Sequence, residues 1–214
     1  MADGRNPAGA QEDHKKQLDP ENTIVMQLET GQVLIELFPD KAPGHVARIK
    51  ELARERFYDG IVFHRVIDGF MAQTGDPTGT GMGGSKKPDL KAEFNDMPHH
   101  RGTVSMARTS DPNSANSQFF IMFEDGPNGR PGWPQLDRQY TAFGQVVQGM
   151  DAIDKIHRGE PPASPTHIVA MRVVADVLRE QQAAGGGGGA AQPANAPKKP
   201  NIDILSPVLA KPGE

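Results

Sequence analysis

In one stretch after another, apolar residues return at every second position, and a period of two is the mark of a half-buried β-strand. Residues 23–28 and 32–38 flank Glu29-Thr30-Gly31; in the second run Val33, Ile35 and Leu37 alternate with Leu34, Glu36 and Phe38, which reads as a hairpin. Further strands are expected at 61–67, 102–107, 118–123, 140–147 and 166–178, the last placing Val169, Met171, Val173, Ala175 and Val177 on one face. Helical spacing is clear twice, at Val46, Ile49, Leu52 and Ala53 after Pro43 and at Met150, Ile153 and Ile156 after Gly149. Many strands, two helices and no βαβ alternation predict a mainly β domain, an antiparallel barrel or sandwich with helical plugs.

The same rhythm sets the limits of the fold. It is absent from the polar residues 1–20, read as an N-terminal extension, and from residues 181–214, where five glycines at 185–189 grade into a Pro-rich stretch. A folded domain over residues 21–180 with a flexible Gly/Ala/Pro-rich C-terminal tail follows. With 23 Lys+Arg against 27 Asp+Glu the formal net charge is −4, so nucleic acid is not an expected partner. The chain has no cysteine, which excludes a disulfide framework, a thiolate nucleophile and cysteine-ligated zinc. It also lacks an N-terminal apolar h-region and any apolar run near the roughly 18 residues of a spanning helix. A soluble cytoplasmic protein without membrane contact is expected, or a periplasmic one if the chain has been trimmed.

Three familiar kinds of chemistry find no support. Gly79, Gly81 and Gly84 fit G-x-G-x-x-G, but Ser85-Lys86-Lys87-Pro88-Asp89 follows where a dinucleotide site needs a helix, so a turn-rich surface loop is the reading. The seven histidines include no H-E-x-x-H and are expected to be solvated or capping, with no metal. Ser105, Ser110, Ser114 and Ser117 lack the G-x-S-x-G frame of an acyl-transfer nucleophile.

Two segments remain. In Phe63-His64-Arg65-Val66-Ile67 the period of two sets Phe63, Arg65 and Ile67 on one face, displaying a guanidinium among apolar neighbours. In Ser117-Gln118-Phe119-Phe120-Ile121 it sets Gln118 beside Phe120. Arg, Gln, Phe and Met without a nucleophile or acid–base pair suit a site that grips and polarises an amide without breaking it.

These segments, with Gly69-Phe70-Met71, Gln73, Gly75-Asp76, Gly81 through Gly84, Ser105-Met106-Ala107, Phe143-Gly144 and Gly149-Met150, resemble the cyclophilin family of peptidyl-prolyl cis-trans isomerases in order from about Thr23 to Leu178. The resemblance implies an eight-stranded antiparallel β-barrel capped by two α-helices. It implies catalytic roles for Arg65, Gln73 and Gln118. It also implies a substrate groove formed by Phe70, Met71, Gly81, Ala107, Phe120, Leu136 and Tyr140 and flanked by Arg108 and Thr109. No cofactor or metal is implied. The expected partners are proline-containing segments of client proteins whose folding the enzyme assists, and the expected state is a monomer.

The chain departs from eukaryotic members where Gln135 replaces a pocket tryptophan and Tyr140 a histidine, as in bacterial members; weak cyclosporin binding is therefore expected. Residues 124–134 form a longer loop holding the only tryptophan, Trp133. Ala196-Pro197 in the tail offers such a groove a weak self-ligand. The competing reading is a binding module or chaperone on the same barrel without turnover, which the presence of Arg65 beside Phe70, Gln73 and Gln118 disfavours.

Overall fold

The computed structural model describes residues 17–127 and 132–185. The extension through residue 16, residues 128–131 and the tail beyond 185, with Ala196-Pro197, lie outside the described residues. The elements are β1 (Thr23–Leu28), β2 (Gly31–Leu37), α1 (Pro43–Arg54), β3 (Arg65–Ile67), β4 (Met71–Thr74), β5 (Thr103–Met106), β6 (Phe119–Met122), β7 (Ala142–Gln148), α2 (Met150–Asp154), β8 (Ile168–Val173) and α3 (Val174–Gly185). The strands form one antiparallel sheet in the order β3-β4-β6-β5-β7-β2-β1-β8, curled into a half-barrel. Its two edges are stitched by isolated bridges rather than a ladder: Val62 faces His167, and Val66 faces Gly159.

The hairpin forms as expected, Leu28 opposite Gly31 across a two-residue turn. Val33, Ile35 and Leu37 point into the barrel with Met26, Phe119, Ile121 and Phe143. α1 and α2 bury Val46, Ile49 and Leu52, and Ala152 and Ile153, in that same cluster. No helix of the described residues is long and apolar enough to cross a membrane.

Three expectations need correction. The last strand ends at Val173, and residues 174–178 begin a third helix, α3. Val174, Val177 and Leu178 follow helical spacing and cover Val25 and Leu34, which face out of the barrel and would otherwise lie bare. Within β8 the alternation also breaks: Gln27 pairs with Ala170 but Leu28 with Ile168, a bulge that turns Ile168 rather than Val169 inward. Finally, residues 61–64 are not regular strand, so Phe63 enters the barrel core while Arg65 and Ile67 stay half-buried on the outside. Phe63 and Arg65 therefore do not share a face.

Candidate active site

Register builds the site. Arg65 on β3 lies opposite Gln73 on β4, Gln73 opposite Phe120 on β6, and Phe120 opposite Ser105 on β5, so one row crosses four strands. Residues flanking Phe120 (Phe119 and Ile121) fill the barrel, whereas Phe120 joins an outer apolar cluster with Met71, Met122 and Leu136. Phe70, Ala107 and Tyr140 pack at its margin.

A cavity of about 270 Å³ opens there. Arg65, Gln73 and Arg108 give it polar walls; Phe70, Met71, Ala107, Phe120, Leu136 and Tyr140 give it apolar ones. The remaining residues assigned from the sequence, Gly81, Thr109 and Gln118, line a neighbouring cavity of about 330 Å³, which shares Gln73, Ala107 and Arg108 with the first. Arg108 lies over the Tyr140 ring at 4.4 Å and donates to the carbonyls of Gln139 and Thr109, so it forms the partition.

The two glutamines are fixed by backbone geometry. Gln73 Nε2 donates to Gln118 Oε1 at 2.8 Å, and Gln118 Nε2 donates to the carbonyls of Gly81 and Gly83 at 3.0 and 2.7 Å. Their close approach needs Gly75: its φ is +92°, and a Cβ there would lie 2.3 Å from the Ser117 carbonyl oxygen. The glycine loop is itself wound around Asp76, whose carboxylate accepts from the amides of Thr78, Thr80, Gly81 and Gly83. A Cβ on Gly83 would come 2.2 Å from Asp76 Oδ1, so a glycine belongs there for contact rather than for phosphate binding.

Arg65 Nε donates to Glu160 Oε2 at 2.7 Å, and the Arg65 side chain is 42 % exposed, at the groove rim rather than a buried edge. Nothing in the sequence pointed to Glu160, which lies 95 residues away. The histidines also differ from expectation, because His45, His64 and His99 are buried. Burial pushes all three pKa values below that of ordinary imidazole, against the pull of Glu93, Asp76 and Asp137 respectively. His99 lies behind the groove, its ring stacked on Phe120, with Nδ1 2.9 Å from Asp137 Oδ1 and Nε2 2.9 Å from Ser105 Oγ. Ser105 is fully buried and cannot serve as a nucleophile. Among the described residues no group of three His, Cys, Asp or Glu side chains is placed to hold a metal ion.

The family model for cyclophilin type peptidyl-prolyl cis-trans isomerases matches residues 23–173. A probable peptidyl-prolyl cis-trans isomerase of Brucella suis is 51 % identical over 174 residues, covering 74 % of this chain and 85 % of that protein. The mouse peptidyl-prolyl cis-trans isomerase-like 3 is 38 % identical over 140 residues, covering 64 % and 82 %. A crystal structure of a cyclophilin from Hirschia baltica superposes with a TM-score of 0.67 at 32 % identity, covering 75 % of this chain and 77 % of that one. A Cryptosporidium parvum cyclophilin type isomerase, solved in the presence of the dipeptide Ala-Pro, gives a TM-score of 0.63 at 28 % identity, covering 71 % and 98 %. With the match spanning every strand of the curled sheet and the groove on its outer face, the chain belongs to the cyclophilin-type peptidyl-prolyl cis-trans isomerases.

Proposed function

We propose that Arg65 is the group that accelerates rotation about X-Pro bonds, and that the observation carrying this role is its place at the rim of the cavity walled by Phe70, Met71, Phe120 and Leu136. A trans amide is held by resonance behind a barrier of about 18 to 20 kcal/mol. As the bond twists, conjugation is lost and the proline nitrogen becomes pyramidal, with a lone pair that accepts a hydrogen bond. A fixed donor beside it stabilises the twisted state above either planar one. A guanidinium suits this work because it stays protonated and offers rigid donors. Phe70, Met71, Phe120 and Leu136 would desolvate the proline ring, and Ala107 and Tyr140 complete its walls. Gln73 would hold the flanking carbonyl through its second Nε2 hydrogen, with Gln118, whose own amide hydrogens go to Gly81 and Gly83, orienting it from behind; Gly81, Arg108 and Thr109 would border the residues preceding it. The direct test is a peptide isomerisation assay on wild type and Arg65 variants.

Client polypeptides whose folding waits on proline isomers are the substrates this reading assigns, with a chaperone-like contribution from the groove itself. A monomeric state accords with the surface: the large apolar side chains exposed among the described residues, Met82, Phe94 and Val147, come from separate segments.

The rate should be nearly independent of pH from about 7 to 9. A guanidinium stays protonated throughout that window, and burial holds His45, His64 and His99 below the ordinary histidine range. A sigmoid in kcat/KM centred within that window would reveal a titrating participant that this reading lacks.

Cyclosporin should inhibit weakly. Gln135 is exposed, and Trp133 packs on Phe70 with ring centroids 4.7 Å apart while its indole N–H donates to the Glu124 carbonyl at 3.4 Å. An indole engaged in this way has no free N–H for the inhibitor. Titrations of wild type and Trp133→Phe should give the same weak inhibition; tight inhibition abolished by the substitution would show the indole turning outward.

A further inference from the structure

We propose that Glu160 is a positioning residue for isomerisation, holding the Arg65 guanidinium in the orientation from which it donates to the substrate; the proposal rests on Arg65 being that donor. The pair is built into the backbone. Val66 N donates to the Gly159 carbonyl at 2.8 Å and Gly159 N to the Val66 carbonyl at 2.9 Å, so the neighbours of Arg65 and Glu160 are locked together by a closed two-bond bridge. Gly159 also faces Pro162, which makes the Glu160-Pro161 corner a tight turn with little room to drift. Glu160 is thus delivered to Arg65 by the same contact that closes the barrel between the β3 edge and the strand-less segment before β8.

The atom that is held explains the function. Glu160 takes Nε, the donor nearest the Arg65 stem, and this is the side-chain hydrogen bond that Arg65 makes among the described residues. Because guanidinium is planar, fixing Nε fixes the plane and leaves both Nη groups to face a ligand. A half-exposed arginine without such a tether samples many rotamers, and each must be frozen when the substrate twists. Glu160 orders the side chain before the substrate arrives.

A carboxylate beside a catalytic cation also has an opposite effect, since it lowers the net positive charge offered to the proline nitrogen. Both side chains keep solvent contact, 42 % exposed for Arg65 and 51 % for Glu160, so water screens much of that loss. Ordering should win, and the sign of the mutational effect decides between the two. Among the described residues no other carboxylate pairs with Arg65, so no second acid substitutes for Glu160.

The test compares kcat and KM for an Ala-Pro peptide in wild type, Glu160→Ala, Glu160→Gln, Arg65→Ala and the Arg65→Ala/Glu160→Ala double variant, each checked for an unchanged circular dichroism spectrum. Glu160→Ala should lower kcat about three- to fivefold with KM changed less than about twofold, the scale expected for an exposed ion pair. Glu160→Gln, which keeps an oxygen acceptor for Nε, should recover most of the loss. In the Arg65→Ala background Glu160→Ala should cost nothing further. A Glu160→Ala enzyme as fast as wild type or faster, a loss in KM alone, or the same loss without Arg65 would each overturn the proposal. An Arg65→Ala enzyme as fast as wild type would instead overturn the assignment of Arg65 on which it stands. The Arg65 Nε–H resonance, which should shift and exchange faster in Glu160→Ala without any substrate, reads the tether independently of turnover; an unchanged resonance would also overturn the proposal.

Discussion

Arg65→Ala is expected to lower kcat/KM about ten- to 150-fold while barely moving thermal stability. The kinetic effect follows from the loss of one charged hydrogen bond, about 1.5 to 3 kcal/mol, present in the twisted state and absent from both planar ones. The small stability effect follows from the surroundings of the side chain. It is 42 % exposed, its ion-pair partner Glu160 is 51 % exposed, and pairs of that kind contribute about 0 to 1 kcal/mol to folding. The barrel core beneath it is supplied by Val66 and Phe63, which the substitution leaves in place. A protease-free isomerisation assay and a thermal melt on the same preparation separate the two. An alanine variant that isomerises as fast as wild type would end the mechanism, and one that loses activity only because it unfolds would reassign Arg65 to the fold.

The sheet and the groove were legible in the sequence to different depths, for physical reasons. The β1–β2 hairpin declares itself because two long runs alternate around a short turn, and α1 because Val46, Ile49 and Leu52 repeat at helical spacing after a proline. β4, Met71–Thr74, runs two apolar residues into two polar ones, so no period of two shows. α3 is missed because Val173, Ala175 and Val177 satisfy a period of two while Val174, Val177 and Leu178 satisfy a helix. What decides is tertiary: Val25 and Leu34 leave an apolar outer face that a helix can cover. At the site, Arg65, Gln73, Gln118 and Phe120 were visible as residue types and by resemblance, and strand register then sets three of them in one row. Glu160 and the Asp137–His99–Ser105 chain were not visible. Each depends on contacts across the chain, His99 with Asp137 over 38 residues and Arg65 with Glu160 over 95, and neither leaves a local period or motif.

Asp76 connects the fold to the groove, and Asp76→Ala should disturb both. The Asp76 residue is 1 % exposed. Burial pushes the carboxyl pKa up, yet hydrogen bonds from the Thr78 amide and hydroxyl and from the amides of Gly83 and Gly81 outweigh it and hold the value at about 2, against an ordinary 3.8. That difference corresponds to about 2 kcal/mol of folding stability, or a Tm lower by about 4 to 8 °C on removing the carboxylate. The folded-state value lies below the unfolded one, so this contribution is complete above about pH 4 and disappears as pH falls through 2; wild type and Asp76→Ala should therefore converge in stability in strong acid. The groove should respond at neutral pH. Without the carboxylate, the loop loses the four amide bonds that wind it around Asp76; its Gly81 and Gly83 carbonyls accept from Gln118, which in turn orients Gln73. One or two hydrogen bonds of about 0.5 to 1.5 kcal/mol translate to roughly three- to tenfold in kcat/KM. Urea unfolding at pH 7 and pH 2.5, with peptide kinetics at pH 7, measures all three effects. Equal stability of the two proteins at pH 7, or a stability gap that persists unchanged at pH 2.5, would show that the amide ring around Asp76 does not fasten the loop.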